Sequence, residues 1–288
     1  MVERLCMHNG LVIPMSLLVK WSTRGVLLAA AVSAAAAHAG PLEQAKRLHE
    51  RLTGVAPSAD TNVLDSMATA IAAGNTRGAA FIAMDHDAFY NVTLANWAAP
   101  WTNRDQSVFE PLNDYIATVV GFTRDDRDFR EILSADVLYH APTVTPAYQT
   151  NSNAHYEAIT SRGLSLQQVL EAESQASLSG LPIDASAGVM TSRAAAKAFF
   201  KAGTNRAQLR YTLLNHLCHD LEQLHDITRA PDRIRQDVSR SPGGDSRAFL
   251  NGCLGCHSGM DPLAQAFAYY DYIYDCLLYT SPSPRDDI

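Results

Sequence analysis

Hydrophobic residues recur every three to four positions along most of this chain, between polar positions and short breaks that contain Gly or Pro. This spacing places apolar side chains on one face of a helix. The alternation of β-branched and polar residues that is typical of strands is nearly absent. The pattern therefore predicts an all-α protein, and no internal repeat of roughly 20–50 residues changes that assignment.

Start and stop residues delimit the predicted helices. Pro41 begins a helix that ends at Gly54, because proline suits a first helical position and glycine the position after the last. A second helix ends at Gly74, and a third runs from Thr76 to Trp97, before Pro100. Further helices are predicted in the segments 112–122, 124–139, 165–177, 192–202 and 205–226, and helical sequence continues to Asp275.

Composition divides the chain into five parts. A helical domain occupies residues 40–227, and a linker rich in Pro, Gly and Arg follows at 228–247. Residues 248–275 carry the most distinctive motif of the chain. Residues 1–39 precede these parts and residues 276–288 follow them.

Residues 1–39 are typical of a secretory signal peptide. Lys20 and Arg24 precede a short apolar run, and the small residues Ala37-His38-Ala39 follow it. The run is too short for the ~20 residues that a membrane-spanning helix needs. We therefore expect cleavage after residue 39, export to a periplasm and no transmembrane span. An uncleaved anchor is the alternative, and Met15 is a candidate start residue.

Residues 276–288 are predicted to be non-native. The segment 276–286 resembles the peptide obtained when sequencing-adapter DNA is translated. An ordinary Ser/Pro-rich disordered tail is the alternative. If the tail is an artefact, the natural protein continues beyond Asp275.

Charge and cysteine content narrow the classes of function. The formal net charge is −7, so the chain has little attraction for phosphate backbones, and we expect no nucleic-acid partner. Cys6 lies in the predicted leader and Cys276 in the tail, which leaves Cys218, Cys253 and Cys256. So few cysteines do not make a disulfide framework.

The motif in residues 253–257 is Cys-x-x-Cys-His, the attachment sequence for c-type haem. Each thiol adds to one porphyrin vinyl group, and one helical turn brings Cys253 and Cys256 close to neighbouring vinyls. His257 then becomes the proximal iron ligand. Attachment after export agrees with the predicted leader.

Three other uses of this motif are weaker. A thioredoxin-like dithiol requires a βαβ pattern, which is not visible here. A zinc site requires a second pair of ligands at suitable spacing. A disulfide between Cys253 and Cys256 remains possible but gives His257 no role.

The distal iron ligand is not identified by the sequence. Met260 follows His257 by three residues and is expected to lie on the same side of the iron. A ligand from a lost C-terminal part is favoured, and a ligand from an earlier helix or water are the alternatives.

The segment 205–226 offers histidines as candidates. Its helical projection places a stripe of leucines opposite a polar face. A solvated face is the simpler interpretation, and iron ligation by one of its histidines is the alternative. The stripe contains Leu213, Leu214, Leu217, Leu221 and Leu224, and Cys218 and His225 border it; the face contains His216, His219, Asp220 and Gln223.

Other features have less specific interpretations. The adjacent Asp85, His86 and Asp87 diverge around a helix and are not expected to share a metal. Exposed helical ion pairs such as Asp126–Arg130 are expected in segment 124–131. Arginines of the linker could pair with a haem propionate, and aromatic residues after the motif could pack on the porphyrin or in the core. These residues are Arg229, Arg233, Arg235 and Arg240, and Phe267, Tyr269, Tyr270 and Tyr272.

Residues 253–272, CLGCHSGMDPLAQAFAYYDY, resemble the haem segment of a family of exported bacterial cytochrome-c-domain proteins with the pattern CxxCHxxMDPLGxAxxxYD. Segments 51–60 and 127–142 are similar to helical domains of unknown function found with such haem segments. The resemblance implies haem binding by Cys253, Cys256 and His257, at the start of a truncated cytochrome c-like domain. Ala264 and Gln265 depart mildly from the pattern.

The expected function is periplasmic electron transfer, with a redox protein as partner. One alternative is a haem enzyme resembling di-haem peroxidases, which requires a second attachment motif. Another is a binding module in which the haem is structural. The sequence does not indicate the oligomeric state.

Overall fold

The computed structural model describes residues 39–58, 62–201, 206–224, 228, 240–273 and 275–279. Helices make up 62% of these residues and strands 7%. The predicted helical class is therefore confirmed at this level, although two small antiparallel sheets interrupt it. The predicted leader lies outside the described residues except for Ala39, as do most of the linker and the end of the tail.

Three helices form the first layer: α1 (Pro41–Thr53), α2 (Val63–Ala72) and α3 (Thr76–Met84). Gly54 ends α1 with a φ of 72°, as the start and stop residues predict. The side chain of Asn75 accepts a hydrogen bond from the backbone N–H of Gly78 and begins α3. The layer encloses the fully buried side chains of Ala45, Met67, Ala79 and Ala83.

The predicted third helix is not continuous. After α3 the chain turns, then forms a π-helix (Phe89–Leu94), α4 (Ala95–Ala98) and a 3₁₀ turn (Ala99–Thr102). The side chains of the turn are held from elsewhere in the chain: Ser165 donates a hydrogen bond to Asp87, and Gln167 donates one to Asp85. These contacts, remote in sequence, support the interruption.

Helix α5 (Asp114–Arg124) is the centre of the fold, because every residue from 114 to 122 is buried. The side chain of Asn113 accepts the N–H of Ile116 at its start. A Cβ at Gly121 would lie 2.1 Å from the ring of Tyr139. Glycine at position 121 therefore lets α5 approach the next element closely.

The predicted helix over 124–139 is wrong. Only a 3₁₀ turn (Phe129–Leu133) forms, and β1 (Leu138–His140) pairs antiparallel with β2 (Glu171–Glu173). The hydroxyl of Thr118 on α5 accepts the N–H of Tyr139, and the hydroxyl of Tyr156 donates to its carbonyl. Tertiary contacts therefore satisfy this backbone in place of helical bonds.

Two further predictions need correction in the same region. An i,i+4 ion pair does form in segment 124–131, between Arg127 and Glu131, but Arg130 pairs with Asp128 and not with Asp126. The predicted helix over 165–177 is divided by β2 into α7 (Leu166–Val169) and α8 (Gln175–Ser179).

Three helices complete the body: α6 (Ala154–Ser161), α9 (Arg193–Phe199) and α10 (Arg206–Leu217). The predicted helix over 205–226 ends early, because Cys218 has a φ of 53°. A separate 3₁₀ turn (Leu221–Leu224) follows. Short 3₁₀ turns also lie at Ile183–Ala185 and Gly188–Thr191.

The C-terminal part begins with a 3₁₀ turn (Pro242–Gly244) and two helices, α11 (Ser246–Gly252) and α12 (Leu254–Ala264). A 3₁₀ turn (Gln265–Phe267) follows. The expected continuation of helix to Asp275 is wrong, because β3 (Tyr270–Ile273) pairs with β4 (Cys276–Tyr279). The first four residues of the predicted tail therefore pair with the segment before them.

Two hydrophobic clusters join this part to the body. Helix α12 packs on α10, and the β3–β4 hairpin packs on α9. The first cluster contains Leu209, Leu213, Met260 and Ala264; the second contains Leu181, Ala185, Ala196, Phe200, Tyr270, Tyr272 and Leu277. Among the helices of the described residues, none has the length and hydrophobicity needed to cross a membrane.

Candidate functional site

The three predicted site residues lie within one helical turn. Cys253 is the residue before α12, and Cys256 and His257 belong to its first turns. The N–H of His257 donates to the carbonyl of Cys253 at 3.1 Å. Both thiols are free and partly exposed. The turn expected from the spacing is therefore present, and it leaves both sulfurs available for reaction.

The imidazole of His257 is held by a carboxylate on the same helix. Its Nδ1 lies 3.1 and 3.0 Å from the two carboxylate oxygens of Asp261, one turn later. The side chain of His257 is 12% exposed, and that of Asp261 is fully buried. Position i+4 on a helix brings these two side chains together.

A second group close to Nδ1 is a guanidinium. Nη1 of Arg240 lies 3.4 Å from Nδ1 of His257. Nδ1 cannot donate to Asp261 and accept from Arg240 at once. The carboxylate is closer and can only accept, so we assign the proton to Nδ1. This assignment leaves Nε2 as the nitrogen that can bind a metal.

Asp261 is itself held by two arginines. Nε of Arg206, on α10, donates to Oδ1 at 2.8 Å, and Nη2 of Arg240 donates to Oδ2 at 2.8 Å. Burial by itself raises the pKa of Asp261, but hydrogen bonds from Arg206, His257 and Arg240 outweigh it, so that the pKa is lowered. The group therefore remains a carboxylate.

An aromatic ring covers the same cluster. Phe249, buried on α11, lies with its ring centre 5.3 Å from that of His257. The guanidinium of Arg240 lies 4.6 Å from the centre of the Phe249 ring. Phe249 thus limits the movement of both Arg240 and the imidazole.

The cluster contains the residue types that attach a haem and orient an iron ligand. Within the described part of the chain, no group of three or more His, Cys, Asp or Glu side chains could hold a metal ion. A histidine that donates Nδ1–H to a carboxylate is oriented for ligation through Nε2. The two thiols, the oriented imidazole and its carboxylate fit the attachment of haem.

Met260 is buried between α10 and α12, with Leu209, Leu213 and Ala264 around it. Its thioether therefore serves the packing of these helices in this structure.

The prediction of a solvated face holds for His219 and Gln223, which are exposed, but it is wrong for His216. Its Nε2 lies 2.5 Å from the hydroxyl oxygen of Tyr115, and its ring lies 5.1 Å from that of Trp101. Burial lowers the pKa of His216 to about 4. The prediction assumed one continuous helix over 205–226, whereas α10 ends at Leu217.

The other histidines of this segment are not joined to the site. His219 is exposed, and its Nδ1 is in contact with the carbonyl of Leu217. His225 lies outside the described residues. Leu213 of the predicted stripe is buried, but Leu217 is half-exposed. The structure does not bring His216 or His219 into the hydrogen-bonded cluster around His257.

The remaining candidates serve the fold. Tyr270 and Tyr272 are buried in the cluster on α9, and the hydroxyl of Tyr270 donates to the carbonyl of Ala185. Phe267 packs against the same cluster. Arg240 is bound to Asp261 in this structure, so the predicted propionate contact stays a prediction. Arg229, Arg233 and Arg235 lie outside the described residues.

The sequence interpretation assigned no role to three residues of the site, Phe249, Asp261 and Arg206. Asp261 follows His257 by four positions, and this spacing on a helix was an available signal. Arg206 lies 55 residues before Asp261 and gave no comparable signal. Only the packing of α10 on α12 brings it to the carboxylate.

Comparisons with known proteins add no assignment. Neither protein-family models, nor curated protein sequences, nor solved structures give a match to this chain. The functional interpretation therefore depends on the residues and their geometry.

Proposed function

We propose that this protein carries a covalently attached c-type haem at Cys253, Cys256 and His257 and transfers single electrons. The observation that carries the proposal is the combination of two free thiols and an oriented imidazole in one helical turn. When bound, the haem supplies an iron that alternates between two oxidation states. The segment from residue 248 onward would then be the start of a cytochrome c-like domain.

The two cysteines would make the attachment. The S–H of each thiol would add across one vinyl C=C bond of the porphyrin, so that sulfur would form the C–S bond and the hydrogen would go to the other vinyl carbon. Nothing leaves, and the addition needs no net oxidation. The partial exposure of Cys253 and Cys256 is consistent with access by a porphyrin.

His257 would bind the iron through Nε2. Asp261 holds the proton on Nδ1 and fixes the orientation of the ring. Arg206 and Arg240 neutralise the buried carboxylate, so it remains ionised without an unpaired charge.

Electron transfer requires a one-electron donor and a one-electron acceptor, and we propose that redox proteins serve in these roles. We also propose that the chain is exported, that the leader is cleaved near Ala39, and that the haem is attached after export. Sequencing the N-terminus of material secreted by a bacterial host tests the export step, and a product that retains Val26 would contradict it.

The main experiment is expression of the full chain in a host that matures c-type cytochromes, followed by haem staining of a denaturing gel. We expect the band to stain and Cys253→Ser/Cys256→Ser to abolish the stain. Cys218→Ser is the matched control, because Cys218 is an exposed free thiol remote in sequence from the motif. A fully expressed wild-type chain without stain would overturn the proposal.

Spectra and turnover then separate electron transfer from the alternatives. A six-coordinate, low-spin haem that is reversibly reduced and consumes no peroxide agrees with a carrier. High-spin haem with peroxide turnover would instead indicate an enzyme. A haem that neither exchanges electrons with redox proteins nor turns over peroxide would indicate a structural role.

A further inference from the structure

The carboxylate of Asp261 is shared by three donors from different parts of the chain. His257 belongs to the same helix, Arg206 to α10 of the body, and Arg240 to the segment before α11. The side chains of Arg206 and Arg240 are only 11% and 15% exposed. Each arginine competes with the imidazole for the same negative charge.

On the basis of the proposed function, we propose that Asp261 is a positioning residue that lowers the reduction potential of the haem, and that Arg206 limits this effect. Asp261 accepts the Nδ1 proton of His257 and thereby makes the imidazole a more electron-donating ligand. A more basic ligand stabilises the oxidised iron. Arg206 withdraws charge from the carboxylate and weakens this acceptance.

Loss of Asp261 and loss of Arg206 should shift the reduction potential in opposite directions. Removal of the Asp261 charge weakens the polarisation of the imidazole and favours reduced iron. Removal of Arg206 leaves more negative charge on Asp261 to accept the Nδ1–H of His257. It also removes a positive charge near the site. Both consequences of removing Arg206 favour oxidised iron. Since Arg206 lies on α10, the helical body would take part in setting the potential.

A purely structural role predicts a different pattern. Breaking a buried ion pair by removing either partner destabilises the fold. Loss of Asp261 or of Arg206 would then act in the same direction, by loosening the packing of α10 on α12. Opposite shifts in potential cannot arise from loosening alone.

The test is spectroelectrochemical titration of the full-length haem-loaded protein and its variants. We expect Asp261→Asn to raise the midpoint potential and Arg206→Gln to lower it. Each shift should correspond to about a tenfold change in the equilibrium between oxidised and reduced haem, or about 59 mV for one electron. Asp261→Glu retains the charge and should lie closer to the wild type than Asp261→Asn does.

Arg210→Gln is the matched control. Arg210 is also on α10, but it pairs with Asp220 at the surface, at 2.9 Å. It should leave the potential close to that of the wild type. An equal shift in Arg210→Gln would show that net charge alone acts, and would overturn the inference.

Failure of the inference is distinguishable from failure of the proposed function. A wild-type chain without haem removes the proposed function. A haem-bearing wild type whose Asp261→Asn and Arg206→Gln variants show unchanged potentials, or shifts of the same sign, removes this inference alone. If Asp261→Asn does not fold, Arg206→Gln decides by itself, and an unchanged or raised potential would refute the proposal.

Discussion

Acidification should destabilise the fold through His216, and the effect can be isolated by substitution. Burial lowers the pKa of His216 to about 4 from its ordinary value of 6.5. Below pH 6.5 the unfolded chain therefore binds a proton that the folded chain does not bind until about pH 4. The stability associated with the neutral ring is complete above pH 6.5 and decreases as the pH falls towards 4.

The magnitude follows from the difference in pKa. About 2.5 pKa units correspond to about 3 kcal/mol of unfolding free energy, at ~1.36 kcal/mol per unit. The structure supplies the reason, because protonation would place a charge among the rings of Trp101 and Tyr115. Tyr115 is itself only 2% exposed.

The assay is urea unfolding at pH 7 and at pH 4, for the wild type and for His216→Gln. Glutamine retains a hydrogen-bonding group for Tyr115 but does not titrate. Other buried groups also respond to acid, so the informative quantity is the difference in unfolding free energy between the wild type and His216→Gln. We expect the advantage of the wild type over the variant to decrease by about 3 kcal/mol between pH 7 and pH 4.

His219→Gln is the control for the loss of a histidine, because His219 is exposed in the same region. It should follow the wild type at both pH values. Parallel pH dependences of the wild type and His216→Gln would refute the proposed burial of His216.

Two further predictions concern packing. Gly121→Ala should destabilise the fold by about 1–3 kcal/mol in urea unfolding, because the new Cβ would overlap the ring of Tyr139. The control Gly252→Ala places a Cβ where no atom lies within 4 Å and should have little effect. Equal effects of the two substitutions would contradict the close approach of α5 to β1. Leu213→Ala should lower the free energy of unfolding by about 2–5 kcal/mol, because it leaves a cavity between α10 and α12. The control Leu217→Ala, at a half-exposed position, should change it by less than about 0.5 kcal/mol. Similar losses in the two variants would contradict the assigned packing.

Local signals in the sequence predicted the structure correctly where the backbone hydrogen bonds of a segment lie within that segment. Pro41 and Gly54 delimit α1 as predicted, because both residues act through their own φ angles. The spacing of Cys253, Cys256 and His257 likewise indicated one helical turn, which begins at Cys253, the residue before α12, and is closed by the hydrogen bond from the N–H of His257 to the carbonyl of Cys253.

The same signals failed where distant groups supplied the hydrogen bonds. Segment 124–139 has a helical pattern, but Tyr139 bonds to Thr118 and Tyr156 and forms part of a strand. The projection of 205–226 as one helix placed His216 in solvent, although the chain turns at Cys218 and His216 packs on Tyr115.

The sequence by itself determined the helical class, the first helix and the close spacing of the groups that we propose attach a haem, since each depends on residues that are neighbours in the chain. Only the tertiary structure decided how the imidazole of His257 is held. Asp261 reaches it along one helix, but Arg206 reaches Asp261 only because α10 packs on α12. Charges that are distant in sequence interact according to their separation in space, and the fold alone sets that separation.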